Sequence, residues 1–109
     1  MRLSVATPAE RVLGDITEAR FQRQVLELLK LRGWLTYHTH DSRRSNSGYP
    51  DITAVRRGRI LFIELKTRKG RTSPMQETWL SELRHCSEGT VTVTVARPQD
   101  WDVLLRITR

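Results

Sequence analysis

Two short apolar runs separated by Arg57-Gly58 constrain the fold of this chain more than any other feature. Residues 52–55 and 60–65 are rich in β-branched and aliphatic side chains, which are typical of strands. Arg57 and Gly58, in the middle of the four residues between these runs, can form a tight turn, although Asn-Gly would be a stronger signal. The sequence therefore predicts a β-hairpin, and with Arg57 and Gly58 as its loop Asp51 lies directly opposite Glu64.

This register places two carboxylates and an amine close together. Side chains alternate between the two faces of a strand, so Glu64 and Lys66 share a face. Directly opposed residues have Cβ atoms about 5 Å apart, and two bare carboxylates at that distance repel each other. The pair therefore favours a bound cation. The alternative is an acid that ends a loop, with a Glu and a Lys on the solvated face of an edge strand.

The excess positive charge lies in the same part of the chain. The sequence has 19 Lys and Arg against 12 Asp and Glu, a formal net charge of +7. Between residues 43 and 71 the only acids are Asp51 and Glu64, whereas the rest of the chain is balanced. The basic residues of this segment are Arg43, Arg44, Arg56, Arg57, Arg59, Lys66, Arg68, Lys69 and Arg71. A basic surface around paired carboxylates is typical of a phosphate-binding face and points to nucleic acid.

The remaining pattern predicts a single α/β domain of 109 residues. We expect a first helix over residues 16–32, a strand over 34–40, the hairpin, a helix from Ser73 to near Gly89, a strand over 90–95 and a last helix after Pro98. Two strands joined through a helix usually run parallel, so the sheet is predicted to be mixed. The element order is αβββαβα with helices on the faces of the sheet. Residues 1–14 are expected to form a flexible arm, and 15–109 the domain.

Glu18 and Gln76 each allow two interpretations. Glu18 lies at the end of the apolar stripe of the first helix, where it could face a metal, but with Asp15 as N-cap it also fits a capping box. Gln76 completes a capping box with Ser73, and a first-turn amide near the strand ends could also hold a phosphate or a water. For Glu18 the two interpretations are compatible, because an acid in the first turn can also face a metal. The polar loop 41–48, which contains Ser47, suits phosphate oxygens and is equally consistent with an ordinary surface loop.

Other chemistries are less well supported. His38 and His40 could bind zinc, but no cysteine supports such a site, and carboxylate oxygens suit Mg²⁺ or Mn²⁺ better. Cys86 is the only cysteine and is expected to pack in the core. An internal disulfide is therefore excluded, which favours a reducing cytoplasm. The sequence shows neither a secretory signal nor a membrane span.

The motifs together resemble those of a known superfamily. Glu18, Pro50-Asp51, Glu64-Leu65-Lys66 and Gln76 resemble the core of the PD-(D/E)XK nucleases. The longer series, with Gly48 before Pro50, Lys69-Gly70-Arg71, Ser73-Pro74 and Trp79-Leu80, is similar to the stand-alone VRR-NUC domain of phages and bacteria. The resemblance covers roughly residues 17–103. It implies a restriction-endonuclease-like fold.

The resemblance also implies roles for the site residues. Glu18, Asp51 and Glu64 would bind one or two Mg²⁺ ions, which Mn²⁺ could replace, and the backbone carbonyl of Leu65 would be a further ligand. Lys66 would position or activate the attacking water or act purely electrostatically, and Gln76 would support the site. The expected DNA contacts are Arg43, Arg44, Ser47, Arg56, Arg57, Arg59, Arg68, Lys69 and Arg71.

The expected function is that of a Mg²⁺-dependent DNA endonuclease. Relatives of this short form act on branched DNA such as four-way (Holliday) junctions in repair and recombination, usually as homodimers, in a bacterial host or from a phage. Little chain remains outside the core for a sequence-reading module, which favours recognition of DNA shape. Three alternatives stay open: a non-catalytic DNA-binding module, a catalytic subunit that needs a helicase or recombination partner, and a restriction-type nuclease.

Overall fold

A mixed four-stranded sheet organises the part of the chain that the structure describes. The computed structural model describes residues 16–40, 46–86 and 88–109. The strands are β1 (Leu35–His38), β2 (Ile52–Arg56), β3 (Arg59–Leu65) and β4 (Val91–Ala96), in the spatial order β1-β2-β3-β4. β2 pairs antiparallel with both β1 and β3. β4 pairs parallel with β3, as the crossover through a helix predicts.

Three α-helices accompany this sheet in the described residues. They are α1 (Glu18–Leu31), α2 (Pro74–Arg84) and α3 (Trp101–Ile107), the last preceded by a 3₁₀ turn (Pro98–Asp100). The predicted order αβββαβα and the α/β fold class are confirmed. None of these helices is long and apolar enough to cross a bilayer.

The hairpin has the predicted register. Ile52 pairs with Ile63 and Arg56 pairs with Arg59, so the two loop residues are Arg57 and Gly58. Both loop residues have positive φ, 48° and 78°, the combination that defines a type I′ turn. This turn matches the right-handed twist of the flanking strands. The extrapolated register brings Asp51, one residue before β2, opposite Glu64.

One buried cluster joins α1 and α3 to one face of the sheet. The apolar stripe of α1 packs with alternate residues of the central strands and with α3. Its members include Phe21, Val25, Leu28, Leu29, Ile52, Ala54, Leu61, Ile63, Leu65, Trp101 and Leu104. β3 is buried on its other face as well, where Phe62 and Glu64 lie. A carboxylate in such a strand needs a specific partner.

Several predicted boundaries and two residue assignments were wrong. Thr17, not Asp15, is the N-cap of α1, because its hydroxyl accepts a hydrogen bond from Arg20 N at 3.1 Å. Glu18 is therefore the first helical residue and has no capping-box role. α2 ends at Arg84, well before Gly89, so Cys86 lies past the helix and is exposed rather than packed in the core. The predicted flexible arm, residues 1–14, lies outside the described residues.

Candidate active site

Backbone hydrogen bonds hold Asp51 beside the end of β3. Leu65 N donates to Asp51 Oδ2 at 2.8 Å, and Thr39 N donates to the Asp51 carbonyl oxygen at 2.8 Å. The first bond ties the carboxylate directly to the strand that carries Glu64. The hairpin register and this bond together place the two acids at the same end of the two central strands.

Glu64 is a buried acid that lacks a full set of partners. Only 1% of the residue is exposed, and its Oε1 has no hydrogen-bond partner in the described part of the chain. Its Oε2 lies 3.4 Å from Lys66 Nζ. Burial, a hydrogen bond with the Asp51 carboxyl and the charge of Asp51 raise the pKa of Glu64 to about 8, although Lys66 acts in the opposite direction.

This arrangement fits a divalent cation. Burying an unpaired polar oxygen costs free energy unless another group binds it, and the positive charge of a cation beside both acids would lower the pKa of Glu64. The donors are hard oxygens, which suit Mg²⁺, and Mg²⁺ often takes only one or two protein carboxylates. Across the described residues no group of three or more His, Cys, Asp or Glu side chains comes close enough to hold a metal. The cation would therefore rely on Asp51, Glu64 and other oxygens, for which the predicted Leu65 carbonyl remains a candidate.

Glu18 lies in the same groove as Asp51 without completing a three-acid cluster. It begins α1, is exposed, and lines an open groove of about 540 Å³. The groove is bounded by Glu18, Ala19, Gln22, His38, Thr39, His40 and Asp51. The rings of His38 and His40 have centroids 4.4 Å apart. A metal-binding role for Glu18 stays a prediction.

Gly48 allows the turn before Asp51 to pack against the start of α2. It has φ +89°, and a Cβ at this position would lie 2.6 Å from the backbone C and O atoms of Met75. Real Cβ contacts are essentially never this short, and backbone atoms cannot swing away. Two independent constraints, the positive φ and the lack of room for a Cβ, thus explain the Gly48 of the sequence motif. Glycine lets the turn before Asp51 lie against the first turn of α2.

Gln76 forms the predicted capping box. Ser73 N donates to Gln76 Oε1 at 2.8 Å, and Gln76 N donates to Ser73 Oγ at 3.2 Å. This confirms the structural interpretation and occupies the amide oxygen of Gln76. Its proposed support of the catalytic site stays a prediction.

Arg97 organises the basic loop that follows Lys66. Its Nη1 donates to the carbonyl oxygens of Thr67 at 2.8 Å and Gly70 at 2.6 Å. The parallel pairing of β3 with β4 explains this contact, because Ala96 lies beside Leu65 and the residues that follow each strand must meet. No sequence motif singled out Arg97. Its position directly after a strand predicted to run parallel to β3 could have indicated a contact with the loop that follows β3.

The predicted DNA-binding residues fall into separate places. Arg68, Lys69 and Arg71 are exposed on the loop next to the carboxylates. Ser47 is also exposed, and its carbonyl oxygen accepts a hydrogen bond from Trp79 Nε1 at 3.2 Å. Arg43 and Arg44 lie outside the described residues.

Arg56, Arg57 and Arg59 lie at the far end of the hairpin from Asp51, a distance of about 16 Å for a strand of five residues. Arg56 donates to the carbonyl oxygens of Arg32 and Arg109, and Arg59 to those of Ile107 and Arg109. Both guanidinium groups lie over the ring of Trp34, at 4.7 and 5.0 Å. These two arginines therefore hold the end of α3 against the sheet, and their contact with DNA stays a prediction.

Comparisons with known proteins agree with this geometry. The VRR-NUC domain family matches residues 4–99. A solved structure described as a VRR_NUC domain superposes with a TM-score of 0.63 at 26% sequence identity, covering 82% of this chain and 94% of that one. The search of curated proteins found no match.

The family match and the fold thus indicate a nuclease of the PD-(D/E)XK type, a hydrolase that acts on DNA. The chain belongs to the VRR-NUC family. Nucleases of this superfamily generally use divalent metal ions. The donor set of Asp51 and Glu64 is consistent with that requirement.

Proposed function

We propose that this protein is a Mg²⁺-dependent endonuclease that cuts branched DNA such as four-way junctions. The observation that carries the proposal is the pairing of half-buried Asp51 with buried Glu64, one oxygen of which has no hydrogen-bond partner among the described residues. Such a pair is costly in the absence of a cation. A non-catalytic DNA-binding module does not require a pair of acids at its DNA-binding surface, so the pair disfavours that alternative.

Each residue of the site has a defined task in hydrolysis. Asp51 and Glu64 would hold the cation, and the hydrogen bond from Leu65 N keeps Asp51 in place. When bound, a divalent cation supplies positive charge that stabilises the charge developing on the phosphate. Lys66, with 15% of its side chain exposed, can donate hydrogen bonds to a water or a phosphate oxygen at the mouth of the site.

The exposed basic loop supports contact with the DNA backbone beside the cut. Arg68, Lys69 and Arg71 follow Lys66 directly, so phosphates on either side of the scissile bond can reach them. Phosphate contacts position a protein on DNA without reading its sequence. A nuclease that binds mainly in this way selects its substrate by shape, which is the basis for preferring branched DNA.

The proposal includes a homodimer. The described part of one chain holds a single pair of this kind, and resolving a junction requires two strands to be cut. A symmetric dimer provides two equivalent sites. Light scattering of the purified protein, alone and with a four-way junction, tests this part directly.

The decisive experiment compares DNA structures under controlled metal conditions. Labelled linear, flap, splayed and four-way DNA are incubated with Mg²⁺, Mn²⁺ or EDTA. We expect cleavage of the branched substrates with Mg²⁺ or Mn²⁺, no cleavage in EDTA, and loss of cleavage in Asp51→Asn and Lys66→Ala. Asp102→Asn, an exposed acid on α3, serves as the matched control and should cut normally. Cleavage that survives EDTA would refute the proposed chemistry, and cuts at fixed sequences in linear duplex would indicate a restriction-type enzyme.

A further inference from the structure

An aromatic pocket lies beside the paired carboxylates. It has a volume of about 340 Å³ and is lined by Tyr37, Thr39, Asn46, Tyr49 and Trp79. This volume is at the small end of the range for ligand sites, roughly 300–1,000 Å³. The proposed hydrolysis makes no use of the three aromatic rings, so the pocket needs its own explanation.

Two of the rings are held in place within the protein. The Tyr49 and Trp79 rings have centroids 5.1 Å apart and planes at 74°. Trp79 Nε1 donates to the Ser47 carbonyl oxygen, and the Tyr49 hydroxyl shares a hydrogen bond with the Thr53 hydroxyl at 3.0 Å. Their positions are therefore set before any ligand arrives, which reduces the entropy lost on binding.

Tyr37 and Asn46 add a stacking surface and polar groups, which a flat heterocycle can bind. Tyr37 is 57% exposed, so the pocket offers an aromatic ring to the solvent. Asn46 supplies an amide that can both donate and accept hydrogen bonds. Aromatic rings with a nearby amide form the combination by which proteins hold single-stranded bases, through stacking and hydrogen bonds to base edges.

The pocket is continuous with the candidate active site. Thr39 lines both the pocket and the groove that contains Asp51, and its hydroxyl donates to the Pro50 carbonyl oxygen at 2.8 Å. Tyr49 precedes Asp51 by two residues. A base held in the pocket would thus belong to a nucleotide close to the scissile phosphate.

We propose that the aromatic pocket, defined by Tyr37, Thr39, Asn46, Tyr49 and Trp79, binds one unpaired nucleobase of the DNA substrate next to the bond that is cut. A base inside an intact duplex has both faces covered by its stacked neighbours, so it cannot enter without leaving the stack. The inference rests on the proposed function. It gives selectivity for branched DNA a physical cause, because flap and splayed DNA carry unpaired bases beside a duplex.

The test is a binding measurement in EDTA, which requires no cleavage. Fluorescence anisotropy compares a fully paired DNA hairpin with the same hairpin carrying one unpaired thymine. We expect the wild type to bind the second probe more tightly, and Tyr37→Ala to lower that preference by about 5- to 100-fold, the usual effect of losing one base stack. Tyr37→Phe, which keeps the ring, should retain it. Leu35→Ala, 77% exposed on the same strand but outside the pocket, is the matched control and should also retain it.

Three results would overturn the inference. The first is an unchanged preference in Tyr37→Ala, and the second is an equal loss of affinity for both probes. The third is a change in oligomeric mass with the preference intact, which would assign the pocket to contact between two copies of the chain. Failure of the proposed function looks different: the protein would show the preference in EDTA and cut none of the DNA structures with metal present.

Discussion

At the scale of single residues, the environment of Glu64 determines the chemistry of the site. The hairpin brings the residue to Asp51, and burial then makes its negative charge unfavourable without a counter-charge. The ammonium group of Lys66 at 3.4 Å supplies only part of that charge. An affinity of the site for a cation would thus have the same origin as the raised pKa of Glu64.

The stability of the metal-free protein should therefore fall as the pH rises. The pKa of Glu64 is about 8 in the folded protein against 4.5 for the ordinary side chain, so the folded state holds the proton more tightly. This contribution to stability is complete below about pH 4.5 and is lost as the pH passes through about 8. Since one pKa unit corresponds to about 1.4 kcal/mol, the change amounts to several kcal/mol. Urea denaturation in EDTA from pH 5 to pH 9 measures it.

Glu64→Gln provides the control for this effect, because it has the shape of the protonated side chain and does not titrate. We expect its unfolding free energy to vary much less over the same pH window. Identical pH profiles for the variant and the wild type would show that Glu64 is not the group responsible.

Gly48 offers a second prediction about a single residue. Gly48→Ala should lower the free energy of unfolding by more than the roughly 1–3 kcal/mol typical of a strained backbone, because its Cβ also meets the backbone of Met75. Gly89→Ala is the matched control, since Gly89 has φ +81° with no atom near the added Cβ. Thermal denaturation compares the two. Equal losses would mean that the turn can move away from α2, contrary to the close packing described.

At the scale of secondary-structure elements, the parallel pairing of β3 with β4 builds the basic loop. Arg97, at the end of β4, binds the carbonyl oxygens of Thr67 and Gly70. The loop is thus shaped by one arginine, while Arg68, Lys69 and Arg71 remain exposed at its surface. Shaping the loop and binding phosphate are separate tasks that experiments can distinguish.

Arg97→Ala should slow DNA cleavage by about tenfold or more, because a misplaced loop misaligns the substrate. The salt dependence of DNA binding should stay the same, since Arg97 makes its contacts within the protein. Combined replacement of Arg68, Lys69 and Arg71 by Ala should instead reduce the salt slope by up to about 3. Arg106→Ala, an exposed arginine on α3, is the control for loss of charge. A reduced slope in Arg97→Ala would place Arg97 on the DNA.

The sequence predicted those elements whose signals are local. The hairpin register followed from strand alternation and a two-residue loop, and the capping box of Ser73 and Gln76 followed from residue spacing. Arg97 and the aromatic pocket depend on residues far apart in the chain, so no local pattern marked them. The prediction for Cys86 was wrong because the expected helix end relied on Gly89, whereas α2 ends at Arg84, before Cys86.

At the scale of the whole molecule, the two ends of the hairpin have different roles. The end with Asp51 and Glu64 carries the proposed active site, whereas the turn end holds the terminus of α3. There Arg56 and Arg59 stack on Trp34, whose Nε1 donates to the Thr108 carbonyl oxygen at 3.0 Å. The basic segment that appeared uniform in the sequence is therefore divided between stability and proposed DNA contact.

Arg56→Ala should lower the unfolding free energy by about 1.5–3 kcal/mol, the usual value for hydrogen bonds to a charged group. Chemical denaturation at neutral pH measures the change, with Arg84→Ala on the exposed surface of α2 as the control. A loss no larger than that of the control would indicate that the arginine contacts contribute little to holding α3. Salt titrations of DNA binding by the same variant show whether Arg56 also contacts phosphate.

The central claim, that Asp51 and Glu64 form a divalent cation site, is tested most directly by calorimetric titration of Mn²⁺ into the purified protein without DNA. We expect saturable binding to the wild type that disappears in both Asp51→Asn and Glu64→Gln, while Asp102→Asn binds as the wild type does. Equal binding by the wild type and both site variants would contradict it, because the cation would then lie elsewhere.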